Sequence, residues 1–193
     1  MSLEHLEGKR IILGSKSPRR KELFSKLGLP FEVESSDVEE LYPKSLAGRE
    51  VPVFLAALKN ESFGELDKDV LLVTSDTVVV YKGKIIEKPK DYEDAFRMLK
   101  QLSGDIHKVF TGVCIRENGI RKSFVSKTTV EFANLTDDEI DYYIKQSQPY
   151  DKAGGYGIQE WIGHIGVKSI TGCYYNVMGL PISKLYKHLK AWR

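Results

Sequence analysis

Hydrophobic and polar positions alternate along this chain with two different periods. The first apolar run, Ile11-Ile12-Leu13, is short and β-rich, and Gly14-Ser15-Lys16-Ser17-Pro18 follows it at once. This predicts a strand, a loop and a helix. Ser17 suits the N-cap and Pro18 the first helical position; Leu23, Phe24 and Leu27 share one face, and Gly28 can end the helix in the left-handed conformation. Residues 31–35 alternate as a strand does, and an acidic loop with Asp37, Glu39 and Glu40 follows. Val51, Phe54, Leu55 and Leu58 then recur at helical spacing, with Pro52 near the start and Gly64 closing the segment.

Residues 70–73 and 78–81 are apolar, β-branched runs on either side of Thr74-Ser75-Asp76-Thr77, and they predict a strand interrupted by polar residues. Asp76 is thereby expected at a sheet edge or a cleft. Lys82-Gly83 reads as a turn into Ile85-Ile86. Asp91 can cap a helix carrying Ala95, Phe96, Leu99 and Leu102, which Ser103-Gly104 stops. Two long strands, near 106–116 and 122–132, flank Asn118-Gly119, the strongest short hairpin signal in the chain. Thr136 with Glu139 forms a capping box for a helix through Ile144, and Pro149 breaks that helix. A Gly-rich segment over 151–166, of which residues 151–159 are too rich in glycine for a stable helix, leads to a β region through Val177. A last helix after Pro181 carries Ile182, Leu185 and Leu189. Helices and strands are interspersed and the hairpins need antiparallel pairs, so the class is α/β with a mixed sheet.

Length changes the picture little. A chain of 193 residues fits one domain, or one domain pinched into two lobes around a cleft, and can bury roughly 70% of its unfolded surface. The formal net charge of +2 gives no support to long-range nucleic-acid steering, so an anion site must come from local clustering of basic groups. No apolar run approaches the ~18 residues of a membrane span, and the polar N-terminus resembles no signal or transit peptide. Cys114 and Cys173 lie far apart with no metal-ligand spacing, and read as buried free thiols suited to a reducing cytosol. A cytoplasmic setting is expected. His107 and His164 have no metal-binding partners in sequence and are expected to be structural or on the surface, and the 18 tyrosines and phenylalanines to pack the core.

Three segments carry candidate chemistry. The loop over residues 14–20 places two hydroxyls, three cations and free N–H groups at a helix N-terminus, where a phosphate fits. Asp76 can hold a divalent cation on a polyphosphate or take a proton from an attacking water, and the pattern leaves both roles open. Glu87-Lys88-Pro89, beyond the turn at Lys82-Gly83, can fold back towards Asp76. The segment Asp151-Lys152-Ala153-Gly154-Gly155-Tyr156-Gly157-Ile158-Gln159 can let backbone approach a ligand, yet it is neither a Walker loop nor a dinucleotide fingerprint.

In order along the chain, these segments resemble the Maf family of nucleoside-triphosphate pyrophosphatases. The resemblance rests on Leu13-Gly14-Ser15-Lys16-Ser17-Pro18-Arg19-Arg20 and on Ser75-Asp76-Thr77-Val78-Val79 with Glu87-Lys88-Pro89. It continues through Met98-Leu99, Leu102-Ser103-Gly104, His107 and Thr111-Gly112-Val113, the Gly-rich segment to Gln159, and Asn176-Val177-Met178-Gly179-Leu180-Pro181. It implies one Maf-type domain over residues 1–193, with a mixed, largely antiparallel central sheet flanked by helices and two lobes around a cleft.

The implied activity is hydrolysis of a nucleoside triphosphate to the monophosphate and pyrophosphate, with Mg²⁺ or Mn²⁺ as cofactor. By resemblance Asp76 is the catalytic base or metal ligand, aided by Lys88 and by an acid at Glu39 or Glu40, of which Glu40 is chosen. Ser15, Arg19, Arg20 and Lys59 are implied to bind phosphates or shape the site. Arg19, Thr77 and Gln159 match the branch that prefers dTTP and UTP, and a Gln amide suits a uracil or thymine edge because it donates and accepts at once. Two positions depart from the pattern: Gly14 stands for a usual Ala, and Glu160 for the Gly that commonly follows the Gln. Family members often form dimers, so a homodimer is an option; neither nucleic acid nor a membrane is expected as partner. A nucleotide-binding regulator of cell division is the alternative function, and a single-stranded nucleic-acid binder a third, which the near-neutral charge fits poorly.

Overall fold

The computed structural model describes residues 3–192. Among these residues seven strands form one sheet: β1 (Arg10–Gly14), β2 (Glu32–Glu34), β3 (Val70–Tyr81), β4 (Lys84–Ile86), β5 (Ile106–Glu117), β6 (Ile120–Phe132) and β7 (Val167–Thr171). The order is β2-β1-β3-β5-β6-β7, with β4 on the far stretch of β3. β1 runs parallel to β2 and β3, and the other four pairings are antiparallel, so the sheet is mixed and largely antiparallel as expected. Asn118 and Gly119 take positive φ in the two-residue turn between β5 and β6, and Lys82 and Gly83 do so between β3 and β4.

Among the described residues seven α-helices connect and cover the strands: α1 (Pro18–Ser25), α2 (Val51–Glu61), α3 (Tyr92–Leu102), α4 (Asp137–Ser147), α5 (Trp161–Gly166), α6 (Tyr174–Val177) and α7 (Ile182–Lys190). The caps read from sequence are present. Ser17 accepts from the Arg20 N–H, Asp91 from that of Asp94, and Thr136 and Glu139 complete their capping box.

Side-chain alternation in β3 assigns the two faces of the sheet. Leu71, Val73, Val79 and Tyr81 point into the large core formed with α1, α3, α4 and α7, whereas Val78 packs with Val51 and Leu55 of α2 on the other face. Gly112 of β5 lets α2 approach: a Cβ there would lie 2.2 Å from the Pro52 carbonyl oxygen. Thr74 then ties the helix down, donating to the Ala56 carbonyl at 2.7 Å.

The structure corrects several expectations. β3 is one continuous strand of 12 residues, because Thr74, Asp76 and Thr77 find side-chain partners on α1, α2 and β5 and the backbone ladder with β5 runs through all four polar positions. The Gly-rich region contains a short helix, α5, and the β region before Val177 ends in the single turn α6. Gly163 fits there because its missing Cβ leaves room for the Ile158 carbonyl. Phe54 is exposed at 37%, since the buried stripe of α2 runs through Val51, Leu55 and Ala56. The polar N-terminus forms a 3₁₀ turn, Glu4–Leu6, that buries Leu3 and Leu6. Cys114 is buried and Cys173 only partly so, both free thiols.

Candidate active site

The register of β3 creates an opening in the sheet. β1 pairs with β3 as far as Gly14 opposite Thr74, and β4 takes over only at Val79 opposite Ile86. Residues 75–78 therefore have β5 on one side and no strand on the other. Asp76 lies in this gap, at a local sheet edge inside an unbroken strand. The chain leaving β1 at Gly14 becomes the Ser15-Lys16-Ser17 loop beside the same gap, where a cleft of about 700 Å³ opens, within the range of small-molecule sites. The departure at Gly14 has a local reason. A Cβ there would come within 2.7 Å of Thr74 Cγ2 and 3.1 Å of the Phe63 ring.

All the residues singled out from sequence line this cleft: Ser15, Arg19, Arg20, Glu39 and Glu40 from the first part of the chain, Lys59, Asp76, Thr77 and Lys88 from the middle, and Gln159 from the Gly-rich segment. Asp76 is 6% exposed. Lys59, one residue before the last buried position of α2, reaches Asp76 Oδ1 at 2.6 Å and Glu40 Oε1 at 2.9 Å. Of the two neighbouring acids, Glu40 is thus the one joined to the centre. Burial pushes the Asp76 carboxyl above the ordinary carboxylate range, and Lys59 and Arg20 oppose this without cancelling it. Glu40 also loses hydration, but Lys59, Lys88 and Arg20 hold its carboxyl below the usual range.

The cations differ in how they are held. Arg20 donates through Nε to the Gly179 carbonyl at 2.9 Å and through Nη2 to Thr77 Oγ1 at 3.2 Å. Burial lowers its pKa, but a guanidinium stays charged across the working range. Arg19 spans the cleft to Asp151 at 2.9 Å, and Lys16 pairs with Asp37 at the exposed rim at 2.6 Å. The exposed Lys88 follows Glu87, whose carbonyl accepts from the Gly154 N–H at 3.0 Å; this bond holds the Lys88 segment against the Gly-rich wall. Ser15 is buried, and its Oγ accepts from the Ser17 N–H at 3.2 Å. The Thr77 hydroxyl lines the cleft but is committed to Arg20 and Thr111.

The Gly-rich wall is fixed by a cluster that motif spacing does not reveal. Glu160 accepts from Tyr143 Oη and lies 3.2 Å from Lys152 Nζ, while the Gly157 N–H donates to Tyr143 Oη at 3.0 Å. Gln159 Nε2 donates to Glu160 Oε1 at 3.5 Å, and Gln159 Oε1 is buried with no protein partner. On the other side of the wall, His107 Nε2 and Tyr156 Oη share a hydrogen bond of 2.7 Å. Burial holds His107 at about pKa 4, so it is neutral and structural as expected, while His164 is on the surface. Residue type alone could have flagged Lys152 and Glu160, a charge pair inside a glycine-rich run; nothing in sequence links them to Tyr143.

A buried acid beside a lysine, ringed by arginines and a hydroxyl loop, is built to receive a polyanion. A family model described as Maf-like protein matches residues 10–192. The chain is 50% identical over 190 residues to a protein of Phocaeicola vulgatus named dTTP/UTP pyrophosphatase, with 97% of this chain and 98% of that one covered. It is 49% identical over 192 residues to a protein of the same name in Porphyromonas gingivalis, covering 97% and 96%. The corresponding protein of Flavobacterium johnsoniae is 48% identical over 190 residues, covering 98% of each chain. Among solved structures, the Staphylococcus aureus Ham1 protein has a similar fold, with a TM-score of 0.50 and 19% identity over 96% of this chain and 100% of that one. With the family model spanning nearly its whole length and relatives at half identity across it, this chain belongs to the Maf family.

Proposed function

We propose that this chain hydrolyses dTTP and UTP to the nucleoside monophosphate and pyrophosphate. The observation that carries the reading is Asp76, buried in the gap of the sheet against Lys59 and facing a cleft that also holds Arg19, Arg20 and Lys88. Water attack at the α-phosphorus needs a proton acceptor, in-line placement and neutralisation of charge more than it needs a covalent intermediate. Asp76, raised in pKa by burial, takes the proton as the new O–P bond forms. The bond to the β-phosphate breaks, and the negative charge that leaves with pyrophosphate is met by Arg19, Arg20 and Lys88. Arg19 exchanges Asp151 for the phosphates when substrate enters.

The donor set suits a divalent cation that arrives with its substrate. Among the described residues no cluster of three or more His, Cys, Asp or Glu could cage a metal, whereas Asp76 and Glu40 offer two carboxylates at one point. Mg²⁺ favours such sites, with one or two carboxylates plus phosphate oxygens and water. Asp76 and Glu40 would hold Mg²⁺ or Mn²⁺, which supplies charge stabilisation on the phosphates when bound.

Gln159 is the reader of the base. Its amide matches the uracil or thymine imide edge, and names of relatives that share nearly the full chain support pyrimidine substrates. Among the described residues no helix is long and apolar enough to cross a membrane, and a cytosolic triphosphate pool is the setting this activity needs. Incubation with a panel of triphosphates and Mg²⁺ or Mn²⁺, with pyrophosphate and orthophosphate detected separately, tests the reading. Pyrophosphate from dTTP and UTP supports it, and orthophosphate as the product overturns it.

A further inference from the structure

Arg20 belongs to a closed ring of hydrogen bonds that reaches well below the cleft. Thr111, on β5, lies directly opposite Thr77 in the β3–β5 ladder and is fully buried. Its hydroxyl donates its one proton to the Asn176 carbonyl at 2.8 Å. Towards Thr77, 2.9 Å away, it can therefore only accept. The Thr77 proton is in turn committed to Thr111, which leaves the Thr77 lone pairs facing Arg20 Nη2. Arg20 Nε returns the ring to the same turn by donating to the Gly179 carbonyl. Gly179 holds φ at +107°, and a Cβ there would lie 3.2 Å from Arg20 Nε. Asn176 anchors the turn, its Nδ2 donating to the Val109 carbonyl at 3.1 Å and to Thr128 Oγ1 at 3.0 Å.

We propose that Thr111 is a positioning residue for Arg20, closing a hydrogen-bond ring through Thr77 and the turn at Asn176 and Gly179 that fixes the guanidinium in the wall of the cleft. The functional part of this statement rests on the triphosphate reading above; the ring itself does not. Thr111→Val keeps the shape of the side chain but takes away the acceptor of Thr77 and the donor to Asn176. Thr77 is then left with Arg20, itself a donor, as its hydrogen-bond neighbour in the ring.

The test reads Arg20 directly. In ¹H–¹⁵N spectra of the full chain, the Arg20 Nε–H signal is the one lost in Arg20→Lys. Its exchange with water should be slow in the wild type and in Thr111→Ser, and about tenfold faster or more in Thr111→Val, as loss of one net hydrogen bond implies. Thr77→Val cuts the same ring from its other side and should act alike, which keeps the test usable if Thr111→Val does not fold. With dTTP, kcat/KM should fall about tenfold or more in Thr111→Val, recover in Thr111→Ser, and show no added loss when Thr111→Val is placed in Arg20→Lys. Unchanged exchange in both valine variants overturns the ring. A Thr111→Val loss as large in Arg20→Lys as in the wild type overturns positioning through Arg20. Absence of triphosphate hydrolysis in the wild type would instead overturn the functional reading, while exchange still decides the ring.

Discussion

Lys59 Nζ lies 2.6 Å from Asp76 Oδ1 and 2.9 Å from Glu40 Oε1, so one ammonium serves two carboxylates at the mouth of the gap in the sheet. The lysine lowers the carboxyl pKa of both partners, and for Asp76 it opposes the rise that burial causes. Lys59→Met removes that opposition. The acid limb of the kcat/KM profile, which reports Asp76 losing its proton in the free enzyme, should therefore move to higher pH. A profile over pH 4–9, roughly the span where carboxylates and histidine titrate, checks this; an acid limb that stays or moves down contradicts it.

Glu160, Tyr143 and the Gly157 N–H form the bolt that holds the Gly-rich wall. Tyr143→Phe leaves Glu160 and Gly157 short of a partner each, and should cost about 1–3 kcal/mol of stability, the usual penalty for an unsatisfied buried group. It should also raise KM for dTTP and UTP more than it lowers kcat. Urea melts and steady-state kinetics on the same preparation test both halves.

Gln159→Ala should raise KM for the pyrimidine substrates or relax the choice of base, by roughly tenfold if one good hydrogen bond to the base is lost. Rates across the natural triphosphates measure this. An unchanged substrate profile would remove Gln159 from base recognition.

His107 should make stability depend on pH. Its folded pKa of about 4 lies below the ordinary value of 6.5, so the unfolded chain binds the proton first. The contribution of this site is complete above about pH 6.5 and is lost as pH falls towards about 4, on the order of 3 kcal/mol in all at 1.36 kcal/mol per unit. Urea midpoints from pH 7.5 to 4.5, in the wild type and in His107→Gln, should differ in slope, the variant lacking this part of the acid loss.

Much of this arrangement was legible in sequence because it rests on local chemistry. Ser17-Pro18, Asp91, Thr136 with Glu139, and Asn118-Gly119 each satisfy backbone groups within a few residues, and the elements they bound are present. The interruption expected at residues 74–77 is absent, since Asn60, Lys59, Arg20 and Thr111 satisfy Thr74, Asp76 and Thr77 from 14 to 57 residues away. Helix α5 was hidden for a similar reason: Gly163 has poor helical propensity but allows a backbone approach that only the tertiary structure supplies. The cleft residues are legible through the motifs that carry the family resemblance. Their mutual geometry, with Lys59 between two acids and Arg20 locked by Thr77, lies in long-range packing that no local pattern encodes.

Under the proposed reading, Asp76 activates the attacking water. Pyrophosphate release from dTTP should be compared at saturating Mg²⁺ in the wild type and in Asp76→Asn, with matched circular dichroism to show that the fold is retained. The expected fall in kcat is about 10²–10⁴, the usual contribution of a positioned general base. Activity in Asp76→Asn within a few-fold of the wild type would contradict it.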